Sequence, residues 1–185
     1  QQHLIGDGAV LRRMIDSGKI SSFILWGPPG VGKTTLAGII AEQLRLPFFT
    51  LSAISSGVKD IREVLEKAKH SRGFDTQAPI LFIDEIHRFS KSQQDSLLSA
   101  VERGVVTLIG ATTENPYFEV NKALVSRSIV FELHQLEDKD IKKLLHRALT
   151  DVEKGMGAYH AEMDEDAMNF LANTANGDAR TALNA

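Results

Sequence analysis

The chain has 185 residues and carries 21 Lys+Arg against 24 Asp+Glu, a formal charge of −3, which excludes a strongly basic nucleic-acid binder but leaves room for a local basic patch. It contains no cysteine, which excludes disulfides, thiolate-bound zinc and thiol catalysis. At 43% hydrophobic and 24% charged residues it is globular in composition, and its length suits one domain, or one domain with a small appendage.

In chain order, strands alternate with helices. Ser22-Phe23-Ile24-Leu25-Trp26 is a short apolar run that stops at a Gly/Pro cluster, the pattern of a buried strand entering a loop. Leu36, Ile39, Ile40 and Leu44 recur at helical spacing, and Pro47 limits that helix. Phe48-Phe49-Thr50-Leu51 is the second strand. Val58, Ile61, Leu65 and Ala68 mark a second amphipathic helix, and Gly73 and Pro79 bracket a loop. Ile80-Leu81-Phe82-Ile83 is a third strand, ending at Asp84-Glu85. Leu97, Leu98 and Val101 lie on a helix that Gly104 ends; residues 105–111 and 129–133 are the fourth and fifth strands. Alternating β and α with continuously apolar strands predicts an α/β, three-layer domain around a parallel five-stranded sheet.

After Leu133 the strands cease. Ile141, Leu144, Leu145, Ala148 and Leu149 form a helical stripe, which Gly155-Met156-Gly157 breaks. Asp164 can cap a helix carrying Ala167, Phe170 and Leu171, and Asp178 can cap a last one after Gly177. The expected organisation is a nucleotide-binding domain over 1–134 and a small all-helical unit over 135–185. The chain stops inside a helical pattern, so it reads as a piece of a longer protein with an incomplete helical unit.

Two motifs carry chemistry. Gly27-Pro28-Pro29-Gly30-Val31-Gly32-Lys33-Thr34 matches G-x-x-x-x-G-K-[ST] between a strand and a helix. Glycines let the backbone wrap a phosphate, and successive N–H groups with the helix N-terminus face the anion. Lys33 would reach the β- and γ-phosphates, Thr34 would hold Mg²⁺, and Thr35 would touch the α-phosphate. At the end of the third strand, Asp84 would complete the Mg²⁺ shell and Glu85 would act as general base on water. His87 reads as a surface or hinge residue. Trp26 and the phenylalanines read as core, and the six histidines show no metal-ligand spacing. The alternating charges over 137–154 read as a wet helix face.

The words SFILWGPPG (22–30), FIDEIHRF (82–89), KSQQD (91–95) and LIGATTENP (108–116) resemble the replication-associated recombination protein A family of AAA+ ATPases, to which the eukaryotic Werner-helicase-interacting ATPase is related. Ser90 stands where that family carries Asn, and Tyr117 where it carries Ser. The resemblance implies a P-loop AAA+ domain with a helical lid, binding ATP and Mg²⁺ and acting on DNA at replication forks, in recombination and in repair. It implies that Thr113, with Asn115 as the fallback, positions water near the γ-phosphate. Ser126-Arg127-Ser128 is similar to the clamp-loader Ser-Arg-Cys, so Arg127 would act in trans on a neighbouring subunit's site. Gly177-Asp178-Ala179-Arg180 is similar to the lid's sensor motif, with Arg180 reaching the γ-phosphate. Ile5 would pack on the adenine. Lys59, Arg62 and Lys91 open helices that would meet DNA phosphates in a ring, with solvated helix charge as the plainer reading. Self-association through a region beyond this chain, replication proteins as partners, and a location that is cytoplasmic and nucleoid-associated in a bacterium or nuclear in a eukaryote are implied likewise; no membrane is expected, since no apolar run approaches the ~20 residues of a membrane span. Two other readings stay open here. One is a scaffold gated by nucleotide, and the other is a clamp-loader-like subunit, which the words at 91–95 and 112–116 disfavour.

Overall fold

Each of the five apolar runs becomes a strand: β1 (Phe23–Trp26), β2 (Phe48–Ser52), β3 (Ile80–Asp84), β4 (Thr107–Thr112) and β5 (Ile129–Glu132). The structure, a computed structural model, describes residues 1–71 and 77–185, so Gly73 of the expected loop lies outside the described residues. The strands pair in parallel in the order β2-β3-β4-β1-β5. Their helices are α1 (Gln2–Ile5), α2 (Val10–Asp16), α3 (Lys33–Leu44), α4 (Val58–Ser71), α5 (Lys91–Glu102), α6 (Pro116–Glu119) and α7 (Lys122–Val125).

The continuous apolar character of β3 and β4 follows from burial on both faces. Ile24, Leu81, Ile83 and Leu108 share a core with Ile61 and Ala68 of α4 and Leu97 and Ala100 of α5. The alternate residues Phe23, Leu25, Phe82, Ile109 and Ala111 are buried too, on the face where α3 packs against β3 and β4. Full burial of each large side chain contributes roughly 1.5–3 kcal/mol. At the sheet edge, Phe23 and Phe131 meet edge-on at 5.5 Å and tie β5 to β1.

The chain divides into two units. The first is Gln1–Gly27 with Lys33–Leu133; the second is Pro28–Gly32 with His134–Ala185. The second holds α8 (Asp138–Thr150), α9 (Glu165–Ala175) and α10 (Ala179–Leu183) around Ile141, Leu145, Ala172, Ala175 and Ala182. Asp164 caps α9 through the Ala167 N–H at 2.7 Å. Asp178 caps α10 through the N–H groups of Arg180 and Thr181, at 2.8 and 3.1 Å. Among the described residues no helix is long and apolar enough to cross a membrane.

Some expectations are corrected. α1 and α2 precede β1, where no element was expected; Leu11 and Ile15, one turn apart, are the buried contacts of α2. β4 starts at Thr107, because residues 104 and 105 close α5: the Val105 N–H returns to Ala100 O and the Gly104 N–H to Val101 O. The phenylalanines are not all core. Phe118, on the one-turn α6 whose buried residue is Pro116, is 83% exposed. Phe170 is 68% exposed, because it lies about 200° around α9 from the buried Ala172. Trp26 is half-buried.

Gly110 lies inside β4 because Ile86 packs against it: a Cβ there would stand 3.2 Å from Ile86 Cδ1 and 3.6 Å from Ile24 Cγ1. Gly110→Val is expected to destabilise the chain by about 1–3 kcal/mol through overpacking. Ile86→Ala in the same chain should recover part of that loss, as read from denaturant midpoints of the two single variants and the double variant.

Candidate active site

The carboxyl edge of the sheet brings several of the candidate residues together. Trp26 pairs with Thr112 on one side and Glu132 on the other, so β1, β4 and β5 end level; Ile83 pairs with Gly110, which brings Asp84 to the same edge. β4 lies between β1 and β3. Thr112 and Thr113 therefore come between the root of the phosphate loop and the acidic pair. From β1 the chain crosses to β2 at the far edge, while β5 lies on the other side of β1. This is the change of direction at which open α/β sheets bind ligands.

Lys33 is the first residue of α3 and is 7% exposed, although it is a lysine. Its ammonium donates to Gly27 O at 2.7 Å. Thr34 and Thr35 follow it in the first turn and are exposed. Within the second unit, Gly30 has φ +68°, and a Cβ on it would fall 1.9 Å from Asp178 Oδ1. No other residue fits there, since both the left-handed backbone and the approach of Asp178 require glycine. The Ala179 N–H donates to Gly30 O at 3.0 Å, so the exposed Arg180 follows directly on a contact with the loop.

Glu85 follows β3 in the left-handed conformation, φ +53° and ψ +45°. For a non-glycine residue this costs on the order of 1 kcal/mol, a strain that concentrates at functional positions. The Thr113 hydroxyl donates to Glu85 Oε2 at 3.2 Å. His87 Nδ1 lies 3.3 Å from the same oxygen and 2.9 Å from Thr112 Oγ1. Of the two candidates next to β4, Thr113 touches Glu85, whereas the Asn115 side chain caps α6 through the Tyr117 N–H at 3.0 Å. The sequence reading missed His87 as a site residue; its side chain is 12% exposed and engaged on two sides. No sequence signal marks it: what brings it back to Glu85 is a chain reversal closed by Arg88 N–H to Glu85 O at 2.8 Å.

Asp84 is half-buried and its carbonyl accepts the Ala53 N–H at 2.9 Å. Among the described residues no group of three or more His, Cys, Asp or Glu could hold a metal. Magnesium takes one or two protein oxygens beside phosphate and water. A hydroxyl from Thr34 and a carboxylate from Asp84 are donors of the right kind.

The remaining candidates lie elsewhere. Arg127 follows α7; its Nη2 is 2.6 Å from Glu102 Oε1 of α5, and its Nη1 donates to Ala123 O at 3.1 Å. The segment bearing it is fastened to α5 a second time. Gln94, 3% exposed, accepts the Asn121 N–H at 2.6 Å and donates to Phe89 O at 2.9 Å, while Asn121 Nδ2 donates to Asp95 Oδ1 at 2.7 Å. Lys59 is 88% exposed on its side chain, 3.9 Å from Glu63, and Arg62 and Lys91 are exposed. Ile5 ends α1 and is 36% exposed; α1 is tied to the end of β5 by the His3 ring, whose Nε2 donates to Glu132 O at 2.8 Å.

The sequence profile described as "ATPase family associated with various cellular activities (AAA)" matches residues 23–135. The chain is 50% identical over 184 residues to the replication-associated recombination protein A of Haemophilus influenzae, covering 100% of this chain and 41% of that protein. It is 49% identical over 181 residues to the ATPase WRNIP1 of Dictyostelium discoideum, covering 98% of this chain and 20% of that one. The chain thus spans well under half the length of these relatives. Among solved structures it is similar to a single-residue variant of Thermotoga maritima RuvB, with a TM-score of 0.79 and 28% identity over 100% of this chain and 59% of that one. The Thermotoga maritima RuvB Holliday junction branch migration motor matches at a TM-score of 0.75 and 30% identity, over 94% of this chain and 56% of that one. The five-stranded parallel sheet with its helices is the RuvB-like P-loop fold.

Gln94→Ala would leave the buried Phe89 carbonyl and Asn121 N–H without their side-chain partner, for a loss of about 1–3 kcal/mol. The expected result is a lower melting temperature together with faster amide exchange at Asn121.

Proposed function

The chain belongs to the AAA family of ATPases, and from that premise we propose that it binds ATP with magnesium and hydrolyses it, as the core of a DNA-dependent ATPase of replication-fork maintenance, recombination and repair. The observation that carries this reading is the carboxylate of Glu85, held between the Thr113 hydroxyl and the His87 ring at the carboxyl edge of the sheet. A nucleotide-gated scaffold has no use for a carboxylate so held, so hydrolysis is favoured over gating alone.

Loop amides over 27–32 and the N-terminus of α3 bind phosphate oxygens. The Lys33 ammonium, which donates to Gly27 O at the root of the loop, pairs with the β- and γ-phosphates. Thr35 donates to the α-phosphate. Thr34 and Asp84 hold magnesium, which neutralises charge on the phosphates when bound. Glu85 takes a proton from water, with Thr113 keeping the carboxylate and that water in register. The helical unit over 135–185 acts as a lid on the domain over 1–134, with Arg180 serving the γ-phosphate. Ile5 offers an apolar surface to the adenine. Arg127 completes the site of a neighbouring subunit, where such an arginine is worth about 10³–10⁵ in rate.

DNA as partner is supported by the names of the relatives, a replication-associated recombination protein and a branch migration motor. Lys59, Arg62 and Lys91 are the candidate phosphate contacts. At a net charge of −3, a single chain would bind DNA weakly and in a salt-sensitive way; several aligned copies would bind it better.

Glu85→Gln is expected to keep magnesium-dependent binding of ATP and to lose about 10²–10⁴-fold in turnover. Unchanged turnover in that variant would remove the hydrolytic reading. With Arg127 acting in trans, turnover per chain should be slow when dilute and rise with chain concentration. Arg127→Ala should flatten that rise while nucleotide affinity holds, as measured by phosphate release across a dilution series.

A further inference from the structure

We propose that His87 is a positioning residue for Glu85: its ring Nδ1–H, directed to Thr112 Oγ1 and 3.3 Å from Glu85 Oε2, attracts the carboxylate into the orientation from which it takes a proton from water. This rests on Glu85 being the general base.

The tautomer follows from the neighbours. A carboxylate only accepts, so an Nδ1 lone pair facing Glu85 Oε2 at 3.3 Å would be repelled, whereas an Nδ1–H is attracted. Thr112 Oγ1 accepts the Glu114 N–H at 3.0 Å and sends its own hydrogen to Glu114 O at 3.1 Å. The lone pair that remains on Thr112 is an acceptor for His87 at 2.9 Å. Both contacts place the proton on Nδ1.

The ring is rigidly mounted. It belongs to the 3-10 turn Ile86–Arg88, whose Ile86 is fully buried against Gly110. Thr112 is itself fully buried and paired with Trp26. Glu85 Oε2 is therefore gripped from two sides, by the Thr113 hydroxyl and by His87. Among the described residues no hydrogen bond occupies Oε1, which leaves that oxygen for water. Thr112 also joins this grip to the phosphate loop, since its carbonyl accepts the Gly27 N–H at 3.2 Å and Gly27 O accepts from Lys33. A continuous series of contacts thus runs from the phosphate-binding ammonium to the base.

The test compares His87→Asn with His87→Leu, with Glu85→Gln alongside. Asn returns an N–H donor near the Nδ1 position, whereas Leu fills the space without one. Both should bind magnesium–ATP as the unsubstituted chain does. Leu should lower kcat by roughly ten- to a hundredfold at unchanged KM, the scale of a small misplacement of a reacting group, and Asn should restore most of it. Nitrogen-detected NMR of the imidazole should find the proton on Nδ1, a readout independent of turnover and of whether the Leu variant folds. Full kcat in the Leu variant, an Asn variant as slow as Leu, or an Nε2–H tautomer would overturn the proposal. An inactive Glu85→Gln with an active Leu variant removes His87 alone; an active Glu85→Gln removes the general-base reading beneath it.

Discussion

The site depends on Thr112 facing the right way. Its backbone carbonyl holds Gly27, its hydroxyl meets His87, and its register with Trp26 decides both. Side chains alternate along a strand, so a slip of one residue between β1 and β4 would turn this hydroxyl away and present its neighbour. Burial of β4 from Leu108 to Thr112 opposes the slip. Leu108 on one face and Ile109 and Ala111 on the other are all fully buried, so a shifted register would hide less apolar surface. Packing of the sheet and geometry of the site are thus one constraint rather than two.

β1 and β3 were the most legible strands, because burial on both faces leaves a mark that needs no partner to read: four apolar residues in a row, ended by glycine or by acid. The phosphate loop was legible because its glycines, lysine and threonine serve a local geometry. His87 was not, because its role depends on a left-handed residue two positions earlier and on a threonine 25 residues later, and neither writes a pattern in the sequence. α1 and α2 escaped because they are short and bury few side chains, Leu4 from one and Leu11 and Ile15 from the other. The two exposed phenylalanines misled because residue type was read without helical angle. Thr113 and Asn115 could not be ranked from spacing; the hydrogen bond to Glu85 and the cap on α6 separate their jobs.

One long sequence word acquires a physical meaning. KSQQD, over 91–95, opens α5 with a capping box in which the Ser90 hydroxyl accepts the Gln93 N–H and the Gln93 side chain returns to the Ser90 N–H. The next two residues leave the cap and grip Asn121. At its other end the same helix meets Arg127 through Glu102. A 12-residue helix therefore fastens both ends of the short segment that carries the arginine, and the amides of Gln94 and Asn121 serve registration more than adhesion.

The Glu102–Arg127 pair ties the segment after α7 to the end of α5 without fixing it rigidly. Both side chains are more than two-fifths exposed, so their attraction is worth at most about 1 kcal/mol and weakens with salt. The contact is therefore a light, reversible fastening of that segment to α5, easily exchanged for another partner.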